Sequence, residues 1–370
     1  MTTSVTRREF LALAAAVSAA GCAARPQAQD RAAGFRTLGR TGLRVSEVGM
    51  GVMLSRDPAL VAAAVDAGVN YFDTARSYMG GRNEALLAEG LGSRRHEVIV
   101  ASKCHHLGSR QRVIGSVEQS LRELRTDTID VLQLHGLSSR DQVLSEEHQG
   151  ALAELRKAGK IRFAGVTTHS KMVTVMDAAV EAGTYDVVLT SLNFKSPPEV
   201  LAAAQRTAAA GLGVVAMKVM TGGYTAEPVP GLNPYQSALR WVLQQSGVAT
   251  TIPSMATFEQ VREDATVMGQ AFTWHDAAAL RLYELAVNSR YCRACGSCSG
   301  MCPSGTDLQA ALRGVMYAEG YGEKAMGRRA VAGAGIACGD CGRCAVICRF
   351  GVDLPRQLSA AWGLAHGPSA

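Results

Sequence analysis

Short apolar runs alternate with amphipathic stretches over most of this 370-residue chain, from Phe35 to about Gln270. The runs are rich in Val, Ile and Leu, which is typical of strands buried on both faces of a parallel sheet. Amphipathic stretches such as Arg110–Leu124, Glu146–Ala158 and Pro198–Ala210 predict helices between them. We place the strands near Val45–Val52, Val69–Phe72, Val98–Ser102, Ile129–Leu134, Phe163–Thr167, Val187–Leu189, Gly213–Met217 and Val248–Ile252. Eight strand–helix repeats predict the α/β class and a closed (β/α)8 TIM barrel.

Charge and composition exclude one class of function. The net charge is +6 and is spread along the chain, without a long run of Lys or Arg. A nucleic-acid surface usually needs such a basic patch, so we expect no nucleic-acid partner.

The N-terminus has the features of an export signal. Paired arginines, Arg7 and Arg8, precede the apolar run Phe10–Ala20, which is too short to span a bilayer as a helix. The pattern resembles the twin-arginine signal, which exports proteins that have already folded. We therefore expect residues 1–33 to be a twin-arginine signal peptide with a tether, and the protein to be exported to the periplasm or cell envelope.

A cysteine near the end of this signal suggests a lipid anchor. Ala19-Ala20-Gly21-Cys22 resembles a lipoprotein cleavage box, although Ala19 stands where Leu is usual. Lipidation of Cys22 would attach the mature chain to a membrane. Cleavage nearby by the general signal peptidase is the alternative.

Four polar residues lie at or just after the ends of predicted strands: Asp73, Tyr78, Lys103 and His135. In a barrel of this kind the carboxyl ends of the strands meet at one mouth, where the chemistry takes place. An ammonium near a phenol stabilises the phenolate and lowers the pKa of the phenol from about 10. A carboxylate would keep that buried ammonium charged, and a histidine could hydrogen-bond a substrate oxygen.

These residues belong to motifs that occur in a familiar order. The motifs are Leu38-Gly39-Arg40-Thr41-Gly42-Leu43, Phe72-Asp73-Thr74-Ala75 with Tyr78, Ala101-Ser102-Lys103, Gln133-Leu134-His135 and Gly159-Lys160-Ile161-Arg162. Together they resemble the aldo-keto reductases, from about Phe35 to Glu263. The resemblance implies that Asp73, Tyr78, Lys103 and His135 are a catalytic tetrad for a small carbonyl or alcohol substrate, with Tyr78 transferring the proton.

The same resemblance implies a nicotinamide cofactor, NADP(H), across the barrel mouth. The positions that match its contacts are Thr167, Thr168, His169, Asn193, Met217, Lys218, Ser254, Met255, Gln260 and Asp264. Thr167, Thr168 and His169 stand where the family usually has Ser-Asn. An exported enzyme meets no free nicotinamide pool, so either the cofactor travels bound or the barrel receives electrons in another way.

Eight of the ten cysteines lie in the last eighty residues, in two runs with the same spacing. The runs are Cys292-x-x-Cys295-x-x-Cys298-x-x-x-Cys302 and Cys338-x-x-Cys341-x-x-Cys344-x-x-x-Cys348. Zinc sites use two Cys-x-x-Cys pairs, and disulfides need no regular spacing. The runs instead resemble bacterial ferredoxins with two [4Fe–4S] clusters, in which the fourth cysteine of each run ligates the other cluster. This resemblance assigns Cys292, Cys295, Cys298 and Cys348 to one cluster, and Cys338, Cys341, Cys344 and Cys302 to the other.

The sequence thus predicts a barrel over residues 34–270, a helical linker over 271–290 and a small ferredoxin-like iron–sulfur domain over 291–370. The leading hypothesis is an aldo-keto reductase-type enzyme whose clusters exchange electrons with an external carrier. Two alternatives remain: an enzyme that works through the clusters without nicotinamide, and an electron-carrier module that uses the barrel as a scaffold.

Overall fold

The computed structural model describes residues 34–105, 108–225, 229–337 and 346–367. The predicted signal peptide and tether, with Cys22, lie outside the described residues. The strands are β1 Phe35–Thr37, β2 Arg44–Ser46, β3 Met50–Gly51, β4 Tyr71–Asp73, β5 Ile99–His105, β6 Ile129–His135, β7 Ile161–Thr168, β8 Val187–Ser191, β9 Gly213–Met217 and β10 Val248–Thr251.

The helices that follow the strands surround the sheet, and further helices continue to the C-terminus. They are α1 Pro58–Asp66, α2 Asn83–Leu91, α3 Arg110–Leu124, α4 Arg140–Leu144, α5 Glu146–Lys157, α6 Met172–Ala182, α7 Pro198–Ala209, α8 Pro234–Leu243, α9 Phe258–Ala265, α10 Trp274–Val287, α11 Leu308–Val315, α12 Lys324–Ala332 and α13 Leu354–His366. A π-helical turn, Met316–Gly320, continues α11.

Strands β3 to β10 form one parallel sheet in chain order. The sheet closes on itself, because Val48 bridges Thr251 and Gly51 bridges Ser254 in parallel fashion. The predicted (β/α)8 barrel is therefore confirmed. The first predicted strand, Val45–Val52, is wrong as a single element: its first residues pair with β1 in an antiparallel hairpin, and only Met50–Gly51 joins the barrel.

Two apolar layers hold the barrel together. The larger lies between the strands and the surrounding helices. The smaller fills the barrel interior and includes Leu43, Val45, Tyr71, Ile99, Val131, Leu189 and Val215. Aliphatic residues dominate both layers, as is usual for barrels of this kind.

Helix α10 lies where the sequence predicts a helical linker. A largely buried ion pair between Asp276 and Arg240 holds it against the barrel. Asp276 closes a capping box with Thr273 at the start of the helix. Its Oδ1 also accepts hydrogen bonds from Arg240 Nη1 and Ser237 Oγ of α8, each at 2.8 Å. The cap of α10 is thus also its connection to the barrel.

The C-terminal lobe, described here over residues 291–337 and 346–367, has its own small core. Leu308, Leu312 and Val315 of α11 pack with Val331 of α12 and Leu358 of α13, and four cysteines pack against them. The described part of this lobe contains helices and loops and no strand, so its likeness to ferredoxins concerns the cysteine spacing. Within the part of the chain that the structure describes, no helix has the length and apolar character needed to cross a membrane.

We expect Asp276→Ala to lower the free energy of unfolding by about 3 kcal/mol, because it leaves the half-buried Arg240 without its carboxylate. Urea unfolding measures the loss. Asp141→Ala, at the exposed start of α4, is the matched control and should change stability by less than about 0.5 kcal/mol. Equal effects of the two substitutions would contradict the role given to Asp276.

Candidate active site

The four predicted catalytic side chains meet at the carboxyl end of the barrel. Asp73 ends β4, Lys103 lies near the end of β5 and His135 ends β6, while Tyr78 lies in the turn that leads into α2. Lys103 points into the barrel and its neighbour Cys104 points outward into the helix-facing core, as strand alternation requires. Burial raises the pKa of Cys104 to about 12, so its thiol stays protonated and serves as a packing group.

Asp73 and Lys103 form a buried ion pair, and each side chain is only 2% exposed. Lys103 Nζ donates to Asp73 Oδ1 and, at 2.7 Å, to the carbonyl of Thr74. Gln133 Nε2 donates to the other carboxylate oxygen of Asp73 at 3.1 Å. Burial raises the pKa of Asp73 and lowers that of Lys103, while the opposite charge of each partner counteracts the shift. The pair is held at a fixed place because either charge alone would be costly to bury.

Tyr78 lies beside this pair. Its ring centroid is 4.8 Å from Lys103 Nζ and 5.8 Å from the ring centroid of His135, which it meets edge-on. His135 in turn lies 5.1 Å from His105 and 6.0 Å from His169 between ring centroids. The phenol, the ammonium and the imidazole therefore share one small volume at the mouth.

The expected effect of Lys103 on Tyr78 is wrong for this geometry. Burial, followed by the charge of Asp73, raises the pKa of Tyr78 above its usual value. The ammonium lies over the ring and its hydrogen bonds go to Asp73 and Thr74, so its charge is largely compensated before it reaches the phenol oxygen. Tyr78 is accordingly protonated at neutral pH, which suits a proton donor.

The turn that carries Tyr78 is fixed by a second buried charge pair that the sequence reasoning missed. Arg76 Nη1 donates to Glu84 Oε2 at 2.5 Å and Arg76 also donates to the carbonyl of Gly81. Ser102 Oγ donates to Glu84 Oε1 at 2.6 Å, which ties the turn to β5 next to Lys103. Glu84 lies in the first turn of α2 and is fully buried, which no local sequence pattern indicates.

Comparisons with known proteins agree with the barrel fold. The sequence model of the aldo/keto reductase family matches residues 54–229. An uncharacterized oxidoreductase of Bacillus subtilis is 27% identical over 275 residues, which cover 62% of this chain and 89% of that protein. An aldo-keto reductase structure from Pseudomonas aeruginosa is 26% identical with a TM-score of 0.56, and the match covers 65% of this chain and 95% of that one.

A structure of an aldo-keto reductase from Klebsiella pneumoniae in complex with NADPH shares the fold at 23% identity and a TM-score of 0.57. That match covers 67% of this chain and 95% of the other. This chain is an oxidoreductase that is similar to the aldo/keto reductases in sequence and in fold.

The positions expected to contact nicotinamide in this barrel fall into two groups. In the first group the polar atoms are bonded within the barrel wall: Thr167 Oγ1 accepts from Gly136 N at 2.8 Å, and Thr168 Oγ1 donates to the Ser170 carbonyl at 2.6 Å. Gln260 is exposed at the start of α9, outside the barrel wall, and its Oε1 accepts from Ala256 N at 2.7 Å. Three further members of this group are buried: Met217 at 8% exposure, Met255 at 0% and Asp264 at 5%. Ser254 lies where the barrel closes, and its backbone bridges Gly51.

The second group, His169, Asn193 and Lys218, comes together at the mouth. Asn193 Nδ2 donates to the Lys218 carbonyl at 3.0 Å. Burial, followed by the charge of Arg313, lowers the pKa of Lys218 to about 7. Tyr291 of the C-terminal lobe also belongs to this group, because its hydroxyl accepts a hydrogen bond from Asn193. Sequence reasoning missed Tyr291, whose one sequence signal is its position directly before Cys292.

Five of the eight cysteines in the runs are described, and none of these five is in a disulfide. The pKa of Cys292 is raised to about 12, first by burial and then by the thiolates of Cys298, Cys295 and Cys348. These four cysteines, which the spacing assigns to one cluster, are thus brought within electrostatic range of one another. Mutual repulsion of their thiolates would be relieved by a cationic group bound between them.

Cys302, the fourth residue of the first run, lies in a separate environment. Burial raises its pKa, but hydrogen bonds from the backbone N–H groups of Thr306, Ser304 and Gly305 outweigh this and hold the pKa below its usual value. Such N–H donors suit a thiolate ligand. Its predicted partners Cys338, Cys341 and Cys344 lie outside the described residues. Within the described ranges, no group of three or more His, Cys, Asp or Glu is placed to hold a metal ion.

The buried carboxyl of Asp264 generates a pH-dependent prediction. Burial, followed by the charge of Glu263, raises its pKa to about 7, against about 3.9 in an unfolded chain. The folded state then binds more protons between these values, so stability falls as the pH rises through that window. Asp264→Asn should therefore gain on the order of 2–3 kcal/mol relative to the native chain between pH 5 and pH 8, as measured by urea unfolding. The exposed Asp127→Asn is the control, and a pH-independent difference for Asp264→Asn would refute the prediction.

Proposed function

We propose that this protein is an exported oxidoreductase that interconverts a small carbonyl compound and its alcohol, with Tyr78 as the proton donor and two [4Fe–4S] clusters for electron transfer. One observation carries the enzymatic part: the buried Asp73–Lys103 pair holds a cation against a protonated phenol, with His135 at its edge. A barrel that served only as a scaffold would gain nothing from two charges buried at its mouth.

The side chains divide the work on the substrate. His135 is placed to hydrogen-bond the carbonyl oxygen and fix its angle. Tyr78 gives its proton to that oxygen in the direction of reduction and takes it back in the direction of oxidation. Lys103, held by Asp73 and the Thr74 carbonyl, offsets the negative charge that the phenol acquires when it gives up the proton.

The spacing and the surroundings of the cysteines support the two proposed iron–sulfur clusters. In this proposal Cys292, Cys295, Cys298 and Cys348 hold one cluster, and Cys302 holds the other with Cys338, Cys341 and Cys344. The electrostatic grouping of the first four and the N–H donors around Cys302 both suit iron–sulfur ligation. When bound, the clusters would supply one-electron transfer to an external carrier.

Two donors of electrons to the carbonyl carbon are compatible with this chemistry. NADP(H) is favoured by the family and by the Klebsiella neighbour, whose structure contains NADPH. The clusters alone are favoured by the arrangement of the C-terminal lobe at the barrel mouth. In that case each carbonyl would take two single electrons, which the external carrier supplies through the clusters, and two protons, one from Tyr78 to the oxygen and one from water to the carbon. Export by the twin-arginine route would deliver the folded chain with its clusters in place, and lipidation of Cys22 would hold it at a membrane.

Tyr78→Phe tests the enzymatic role. We expect it to lower kcat by about 10²–10⁴-fold because the proton donor is lost. The assay is reduction of methylglyoxal and a panel of aliphatic aldehydes, with reduced methyl viologen or NADPH as donor. Tyr71→Phe is the matched control, since the buried Tyr71 hydroxyl has no hydrogen-bond partner among the described atoms. An electron-carrier module would keep its electron transfer in both variants and show no turnover in either.

Cys298→Ser tests the clusters. In chains purified without oxygen, we expect iron and acid-labile sulfide to fall from the content of two cubanes to that of one or none, because a thiolate ligand is lost. Cys104→Ala, which changes the buried core cysteine outside the runs, should leave the iron content unchanged. Iron-free native protein would refute the proposed clusters.

A further inference from the structure

The chain that follows α10 crosses the barrel mouth and places a phenol in it. Tyr291 is 5% exposed. Its hydroxyl lies 2.9 Å from Asn193 Nδ2, which donates to it, and 3.2 Å from Ser191 Oγ. Asn193 and Ser191 are the polar side chains at the carboxyl end of β8, so a residue of the chain's own C-terminal lobe already satisfies them.

Helix α11 covers the same place from the other side. Gln309, Leu312, Arg313 and Met316 face His169, Ser191 and Lys218 across a cavity of about 20 Å³, which Tyr291, Cys292 and Ala294 also line. A cavity of that size holds about one water molecule. A nicotinamide ring with its carboxamide is several times larger, so the nicotinamide end of the expected cofactor does not fit among these residues.

The contact between lobe and barrel is close enough to need glycine on both sides. A Cβ at Gly222, in the loop after β9, would lie 2.8 Å from Met316 Cγ. A Cβ at Gly320, in the π-helical turn, would lie 2.0 Å from the carbonyl oxygen of Gly222. The two backbones therefore pack directly on each other. The C-terminal lobe covers the mouth through this close backbone contact.

The same contact brings a predicted cluster ligand to the mouth. Cys292 lines the cavity together with Lys218 and Arg313. Lys218 Nζ also lies 5.7 Å from the ring centroid of Tyr317. The guanidinium of Arg313 and the amine of Lys218 therefore face the place where the cluster of Cys292 would carry its negative charge.

We propose that the C-terminal lobe takes the place of nicotinamide in this barrel. Tyr291 and α11 occupy the position where the nicotinamide ring would bind, so the chain binds no NADP(H). The redox group that borders the mouth is the cluster of Cys292, Cys295, Cys298 and Cys348. The cluster part of this inference rests on the proposed function, whereas the exclusion of nicotinamide rests on Tyr291, Asn193 and the small cavity alone.

Dinucleotide binding is measured on the full chain, purified without oxygen and shown to contain iron and sulfide. We expect no change in NADPH fluorescence and no retention in equilibrium dialysis up to about 1 mM, the upper end of usual enzyme affinities. We also expect no nucleotide to be released when the protein is denatured in acid. Stoichiometric binding or release of NADP(H) from iron-loaded chain would overturn the inference and leave the proposed function standing.

The position of the cluster is tested by its reduction potential, followed by electron paramagnetic resonance during a redox titration. Reduction adds negative charge, so removal of a nearby cation should disfavour the reduced state. We expect Arg313→Gln to lower the potential of one cluster and Arg122→Gln, at the opposite end of the barrel, to leave both unchanged. Unchanged potentials in Arg313→Gln, with full iron content, would overturn the placement of the cluster at the mouth. Iron-free protein would instead refute the proposed clusters themselves.

Discussion

The active site depends on the ion pair between Asp73 and Lys103. A carboxylate and an ammonium that are both 2% exposed must hold each other, because neither has enough water to remain charged alone. Gln133 and the Thr74 carbonyl satisfy the remaining hydrogen-bonding positions of the pair. With the cation fixed, Tyr78 and His135 have a defined place against it, and the turn that carries Tyr78 is tied to the same strand through Arg76, Glu84 and Ser102.

The pair also explains why Tyr78 has a raised rather than a lowered pKa. Lys103 directs its hydrogen bonds to Asp73 and the Thr74 carbonyl, so the phenol experiences burial and the nearby carboxylate more strongly than the ammonium. A protonated phenol is the correct starting state for giving a proton to a carbonyl oxygen. In the proposed reaction, the lysine is needed mainly after the transfer, when the phenolate has formed.

The C-terminal lobe changes what the barrel mouth can accept. In a barrel without such a lobe, Asn193, Ser191 and Lys218 would face solvent or a ligand. Here Tyr291 and α11 contact them, and the glycines at 222 and 320 permit the close approach. The lobe is therefore part of the active-site wall as well as the carrier of the cysteine runs.

The sequence by itself determined the barrel and nearly all of its strands, and it identified four polar residues that the structure brings together at one mouth. It could do so because these features depend on local periodicity and spacing: α3 begins and ends where its amphipathic pattern does, and β9 where its apolar run does. Tertiary structure alone decided the split of the first predicted strand, the buried Arg76–Glu84 pair, the raised pKa of Tyr78 and the placement of Tyr291 against Asn193. Each of these depends on contacts between segments far apart in the chain, where burial and charge are set by neighbours that no local pattern records.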